Sequence, residues 1–276
     1  MDRRETPANG RVAHLSLRGQ VEAADFVEGE AARVAVPLTD LCAAAGGARD
    51  RQVLMGARVT VLERHGGWAF VQARADGYVG YVVEGALGPD AAATHRVAVA
   101  ATHLYPAANL KLREVAALSF GARLTVVGLT DRWAETDAGL FVPAMHLAPE
   151  GTVEPDPVAV AELFLGTPYL WGGNSRAGID CSGLAQAAGL ACGIPCPGDS
   201  DLQRARVGRA LSDNEPGQRG DLVFWKGHVA IMTDAATILH ANGAAMAVTR
   251  EDYAAACARI LAAGDGPVLA RRRPRG

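Results

Sequence analysis

A chain of 276 residues, 49% of them hydrophobic, is long enough for two or more domains and apolar enough to give each a buried core. The formal net charge of −3 excludes the basic excess that nucleic acid or an anionic membrane surface would select, so neither partner is expected. No run of apolar residues is long enough to span a bilayer, and none follows the polar start Met1–Gly10, so a cytoplasmic protein is expected.

In chain order, residues 1–35 read as an N-terminal segment holding one short strand near Val12–Leu17. An internal repeat follows. Gly56-Ala-Arg-Val-Thr-Val61 leads to Trp68, and Gly121-Ala-Arg-Leu-Thr-Val126 leads to Trp133, with a Gly-to-Trp spacing of 12 residues in both copies. Gly80-Tyr-Val-Val83 before Leu87 is echoed by Leu140-Phe-Val-Pro143 before Leu147. Short alternating strands between glycine-rich turns predict two small β-domains, residues 36–90 and 95–148. The polar stretch Glu150–Pro157, with two prolines, reads as a linker (149–157), and a third domain covers 158–270. In it a helix is predicted from Val158 to Leu165, stopped by Gly166-Thr-Pro168. The alanine-rich stretch Tyr253–Ala263 predicts another helix, and Ala270–Gly276 a strand end with a basic tail.

The chemistry concentrates around Tyr169-Leu-Trp-Gly-Gly-Asn-Ser-Arg-Ala-Gly-Ile-Asp-Cys-Ser-Gly-Leu184. This places Cys181 after a glycine-rich loop, at the start of a helix that runs to about Gly193 ahead of Pro195, with Asp180 as its N-cap. A thiol on a first helical turn lies in the positive end of the helix dipole, which favours the reactive thiolate. Downstream, Asp221–Trp225, His228–Thr233 and Thr237–Ala241 read as strands. If a tight turn centres on Asp234, His228 and His240 face each other across an antiparallel pair. The constellation is then Cys181 as nucleophile, His228 as base and His240 as its orienter, although His240 can also be read as a satisfied core imidazole. The remaining thiols, Cys42, Cys192, Cys196 and Cys257, read as small buried apolar residues. Five cysteines suit reduced thiols, and the Cys192/Cys196 pair has no second pair to complete a structural zinc site.

Tyr-Leu-Trp-Gly-Gly, Asp-Cys-Ser-Gly-Leu, Arg-Gly-Asp-Leu-Val-Phe-Trp, His-Val-Ala-Ile and Leu-His-Ala-Asn occur in that order over about residues 155–262. They resemble the NlpC-type cysteine peptidases of bacterial cell-wall metabolism, and the repeat resembles paired bacterial SH3-like domains. The resemblance implies an α+β protein: two SH3-like β-barrels, then a papain-like domain in which the cysteine helix packs on an antiparallel sheet. It implies a cysteine endopeptidase that cuts the γ-D-glutamyl-diamino acid amide bond of short murein tripeptides or tetrapeptides bearing a free N-terminal L-Ala, during wall-peptide recycling, with no cofactor and no metal.

The resemblance also carries roles onto residues. Tyr169 would stand by the oxyanion, with core packing as the alternative. Trp171 would shape the cleft wall. Tyr78, in Asp-Gly-Tyr-Val-Gly-Tyr, matches a loop tyrosine that caps the cleft, with a sheet-surface aromatic as the alternative. Ser182 and Ser200 would bond the substrate carboxylate. Asp199 would pair with the substrate amine, and Asp180 would orient it or serve only as a cap. Relatives often have Arg where this chain has Gly198, so no guanidinium is expected there. Two rival readings are a zinc amidase with Cys181, His228 and His240 as ligands, and a non-catalytic wall-peptide binder.

Overall fold

The computed structural model describes residues 1–274. The chain divides into two compact units between Glu150 and Gly151. In the first unit the principal sheet has seven strands, in the order Arg49–Leu54, Leu38–Cys42, Val79–Val83, Trp68–Ala73, Arg58–His65, Glu30–Val34 and Leu87–Pro89. Alternation along these strands turns Val34, Leu41, Val59, Val71 and Val82 into one buried cluster. A register shift between Val61 and Glu63 breaks the alternation and sends Leu62 into a second cluster with Val12, Phe70 and Val79. The strand Glu30–Val34 lies ahead of the boundary expected at residue 36, yet it pairs with both Arg58–His65 and Leu87–Pro89. Its short side chains, Ala31 and Ala32, gave a weak pattern, and pairing on both edges is what fixes it in the sheet.

The repeat is a repeat of structure. Ala57 donates to Leu54 O and Ala122 to Ser119 O, both at 3.1 Å, after Gly56 and Gly121 at φ 76° and 84°. Trp68 and Trp133 each open a strand. Each copy closes with a 3₁₀ turn, Glu84–Ala86 or Ala144–His146, and a strand, Leu87–Pro89 or Leu147–Pro149. The second copy builds its core from Val97, Leu104, Leu118, Leu124, Ala134 and Val142.

Among its described residues the second unit has four helices: Pro157–Glu162, Cys181–Ala191, Ser200–Arg206 and Tyr253–Ala262. Its six-stranded sheet runs in the order Arg209–Ala210, Ala270–Arg273, Leu222–Trp225, His228–Met232, Thr237–Asn242, Ala247–Asp252, and every neighbouring pair is antiparallel. The central strands are buried on both faces, as the unbroken apolar runs Leu-Val-Phe-Trp and Val-Ala-Ile-Met require. The cysteine helix lies against the strands that begin at His228 and Thr237. Ala185 and Ala188 face Leu222 and Ile231 across a small apolar gap. The basic tail is held as far as Arg273, which donates to both oxygens of Asp221; Arg275 and Gly276 lie outside the described residues. Among the described residues no helix is long and apolar enough to cross a membrane.

Candidate active site

Cys181 is the first residue of its helix, and Asp180 caps it. One Asp180 oxygen accepts from Gly183 N at 2.7 Å and from the Ser182 hydroxyl at 3.0 Å; the other accepts from Gly172 N at 2.8 Å. A single carboxylate thus ties the helix start to the Trp171-Gly172-Gly173 loop. The backbone completes the clamp: Leu170 N donates to Ile179 O, Ile179 N to Pro168 O, and Asp180 N to Gly173 O. The glycines of the motif are demanded by close approach. A Cβ on Gly173 would meet Gly178 O at 2.5 Å, and one on Gly183 would meet Gly173 O at 2.5 Å. Tyr169 is half-buried, and its N–H hangs from Met246 O at 2.9 Å.

His228 follows directly on the two-residue turn Lys226-Gly227, paired with Trp225, whose ring lies 5.7 Å from its own. The register to the next strand differs from expectation. Ile231 pairs with Leu239 and Met232 with Ile238, so His240 stands opposite Ala230 and not opposite His228. The turn centres on Ala235, one residue later than Asp234: Thr233 N donates to Thr237 O, and Asp234 folds back to accept from Ala236 N at 2.8 Å. The offset is two residues, which keeps both rings on one face of the sheet. As diagonal neighbours they meet, His228 Nε2 to His240 Nδ1, at 2.9 Å. His240 is fully buried, and its Nε2 lies 3.0 Å from Glu251 Oε2 on the edge strand. Arg259, from the last helix, grips both oxygens of Glu251 at 2.9 and 2.7 Å.

The electrostatics correct the expectation of a resting thiolate. Cys181 is only 7% exposed, and burial pushes its thiol up to about 12, with the Asp180 carboxylate adding to the rise. The N–H groups of Val229, Ser182 and Cys181 itself act in the opposite direction but do not prevail. Burial dominates because the helix end acts through partial charges, whereas desolvation acts on the whole anion. Burial also drives His228 down to about 3, helped by the nearby His240 and Arg259 charges. His240 is lowered mainly by burial, against the pull of Glu251. The resting pair is therefore neutral thiol and neutral imidazole. Tyr169 is pushed up to about 12 by burial and by the negative forms of Cys181 and Asp180, so its hydroxyl keeps its proton and remains a donor.

The other expected residues are placed as follows. Trp171 is 68% exposed on the clamped loop. Ser182 donates to Asp180, a bond that a substrate carboxylate would have to exchange. Asp199 and Ser200 open the helix Ser200–Arg206, both half-buried, and Gly198 before them is buried. Tyr78 lies in the core cluster of the first unit, 3% exposed, with the Arg51 guanidinium 5.2 Å above its ring. Cys42, Cys192 and Cys196 are buried; Cys257, expected in the core, is half-buried beside Tyr253. The zinc alternative needs ring nitrogens of His228 and His240 that converge on one ion, but the facing nitrogens are bonded to each other. Among the described residues no group of three His, Cys, Asp or Glu side chains is arranged to hold a metal.

Sequence reasoning missed Glu251, Arg259 and Gln203. Gln203 is fully buried and donates at 2.9 Å to both Ser182 O and Pro197 O, fastening the 197–200 segment to the cysteine helix. The missed strand Ala247–Asp252 holds Glu251.

Residues 166–259 match the NlpC/P60 family, and residues 41–87 match the bacterial dipeptidyl-peptidase Sh3 domain. The chain is 29% identical over 235 residues to a gamma-D-glutamyl-L-lysine dipeptidyl-peptidase of Bacillus cereus, covering 72% of this chain and 69% of that one. It is 38% identical over 100 residues to the protein of the same name from Bacillus subtilis, about a third of each chain. The crystal structure of an NlpC/P60 family protein from Bacillus cereus shares the fold, with a TM-score of 0.72 at 21% identity, over 88% of this chain and 99% of that one. An SH3 domain of the bacterial dipeptidyl-peptidase type and an NlpC/P60 domain thus lie on one chain, which is homologous to gamma-D-glutamyl-L-lysine dipeptidyl-peptidases.

Proposed function

We propose that this protein is a cysteine endopeptidase that hydrolyses the γ-D-glutamyl-diamino acid bond of short murein peptides with a free N-terminal L-Ala, in cytoplasmic recycling of wall peptides. The observation that carries the reading is the coupling of two features: a cysteine at a capped helix start, and a hydrogen-bonded line of two imidazoles ending on a carboxylate. The Val229 N–H that acts on the sulfur belongs to the residue after His228, so both features share one strand end. In this reading the domain is papain-like, with the cysteine helix laid on the sheet.

The thiol proton passes to the His228 ring nitrogen that is not bonded to His240, as Sγ attacks the γ-glutamyl carbonyl. The Cys181 N–H and the Tyr169 hydroxyl receive the developing oxyanion. The imidazolium gives its proton to the departing amine of the diamino acid, and the C–N bond breaks. Water then loses a proton to His228 and attacks the thioester; the C–S bond breaks, and Cys181 takes that proton back from His228 as it leaves as a thiol. Asp199 pairs with the ammonium of the substrate, while Ser182 and Ser200 bond the free α-carboxylate of the glutamate. A peptide lacking either charge would leave a pocket group unpaired, which is the physical basis of selection.

The test is mass spectrometry of products from L-Ala-γ-D-Glu-diaminopimelate and from its N-acetylated form. Wild type should release the free diamino acid from the first alone, and Cys181→Ala should release none. Equal cleavage of both peptides removes the free-amine requirement. Wild type leaving both intact removes the peptidase reading.

A further inference from the structure

The mechanism above needs a bare ring nitrogen on His228 to take the thiol proton, yet a neutral imidazole carries one proton and can hold it on either nitrogen. We infer that Glu251, held by Arg259, is the positioning residue that sets the tautomers of both histidines and so leaves His228 Nδ1 free to act as the base; the inference rests on the peptidase reading of Cys181 and His228. Glu251 makes two hydrogen bonds with the Arg259 guanidinium, which holds its carboxyl below the ordinary range and keeps it ionised. An ionised carboxylate accepts and cannot donate. His240 Nε2, 3.0 Å away, must therefore carry the proton of that ring. A neutral His240 then has a bare Nδ1, which can only accept. His228 Nε2, 2.9 Å from it, must be the donor. The proton of His228 is thereby fixed on Nε2, and its lone pair stands on Nδ1.

Among the described residues no other hydrogen bond of either ring fixes this order. His240 is fully buried and its two ring nitrogens have these two partners, so without an acceptor at Nε2 the ring loses its reason to prefer one tautomer. The reversed line, with protons on both Nδ1 atoms, would keep the His–His bond, satisfy the same packing and remove the base. Arg259 has a second part: its charge balances Glu251, so the line ends on a neutral ion pair and His240 need not be protonated to meet it. When His228 becomes an imidazolium during turnover, its Nε2–H still points at an acceptor backed by the carboxylate, so the new charge is stabilised without a second proton moving.

The test combines kinetics with nitrogen-15 NMR of the histidine rings, which reports the protonated nitrogen directly. In wild type both rings should carry their proton on Nε2. In Glu251→Leu the population should shift toward Nδ1–H on both rings, and kcat on L-Ala-γ-D-Glu-diaminopimelate should fall at least about 100-fold with KM unchanged, since Glu251 does not touch substrate. Glu251→Gln keeps an oxygen able to accept from Nε2–H, and should recover the wild-type tautomers and most of kcat. Wild-type rings protonated on Nδ1 would overturn the inference without any variant, which covers the case of a Leu variant that does not fold. It is equally overturned if Glu251→Leu loses activity with its tautomers intact, or keeps kcat. The NMR readout does not depend on hydrolysis, so wild type that cleaves no peptide removes the proposed function and leaves the tautomer order to be judged separately.

Discussion

Cys181 combines two demands that oppose each other. Its place at a helix start is that of an activated thiol, yet at 7% exposure an unpaired anion there is costly. With the thiol pushed up to about 12 and His228 down to about 3, both groups are neutral across the physiological range. Proton transfer then accompanies attack and does not precede it. The expected consequence is a rate of inactivation by iodoacetamide that climbs steadily above pH 8, with no plateau between pH 4 and 7. A plateau there would mean a standing thiolate–imidazolium pair. Which residue is the nucleophile was legible from Asp-Cys-Ser-Gly and its surroundings. Its resting charge was not, because that depends on how deeply the thiol is buried, and burial is set by the packing of elements distant in the chain.

At the level of elements, the loop and the helix start are made to fit by missing side chains. Gly183 lets the first turn of the helix pass against Gly173 O and Asn174 Oδ1, each 2.5 Å from where a Cβ would stand. Backbone oxygen cannot swing aside as a side chain can, so Gly183→Ala should destabilise the second unit by about 1–3 kcal/mol, in the range of an overpacked core. Gly243→Ala is the comparison: nothing lies within 4 Å of its Cβ position, and the change should stay within about 0.5 kcal/mol. Urea unfolding of the two variants checks the pair, and equal midpoints would contradict the steric account. The same scale explains what was read and what was not. The Cys181, His228 and Tyr253 elements announced themselves by long apolar or alanine-rich runs. The strand Ala247–Asp252 did not, because it is an edge strand with charged residues at Arg250, Glu251 and Asp252. Missing it meant missing Glu251. The His228–His240 meeting was foreseen with the wrong register, and survived because an offset of two residues keeps the face.

Across the whole molecule, the shifted groups are unevenly divided, and this gives each unit its own response to acid. His228 and His240, both lowered in the folded chain, belong to the second unit. A lowered histidine binds fewer protons folded than unfolded, so its contribution is complete above an unfolded value of about 6.5 and is lost as pH falls below it. The first unit contributes lowered carboxylates, Asp2, Glu63 and Asp90, each held down first of all by a hydrogen bond from arginine. Their contribution persists above the ordinary carboxylate range of about 4 and is lost only below it. Between about pH 7 and 5 the second unit should therefore weaken while the first does not. Above about pH 9 the sign reverses for the second unit, because the raised Cys181 and Tyr169 hold protons that the unfolded chain releases. Hydrogen exchange, corrected for its intrinsic dependence on pH, reads the two units separately through the strands Arg58–His65 and His228–Met232. Protection at His228–Met232 should be greatest between about pH 7 and 9 and should decline by pH 5, with Arg58–His65 unchanged over that acid step. A parallel decline in both strands would show that the two units open together, whereas no decline at His228–Met232 would show that the buried imidazoles are already charged in the folded state, and the neutral resting pair on which the mechanism depends would fall with that result.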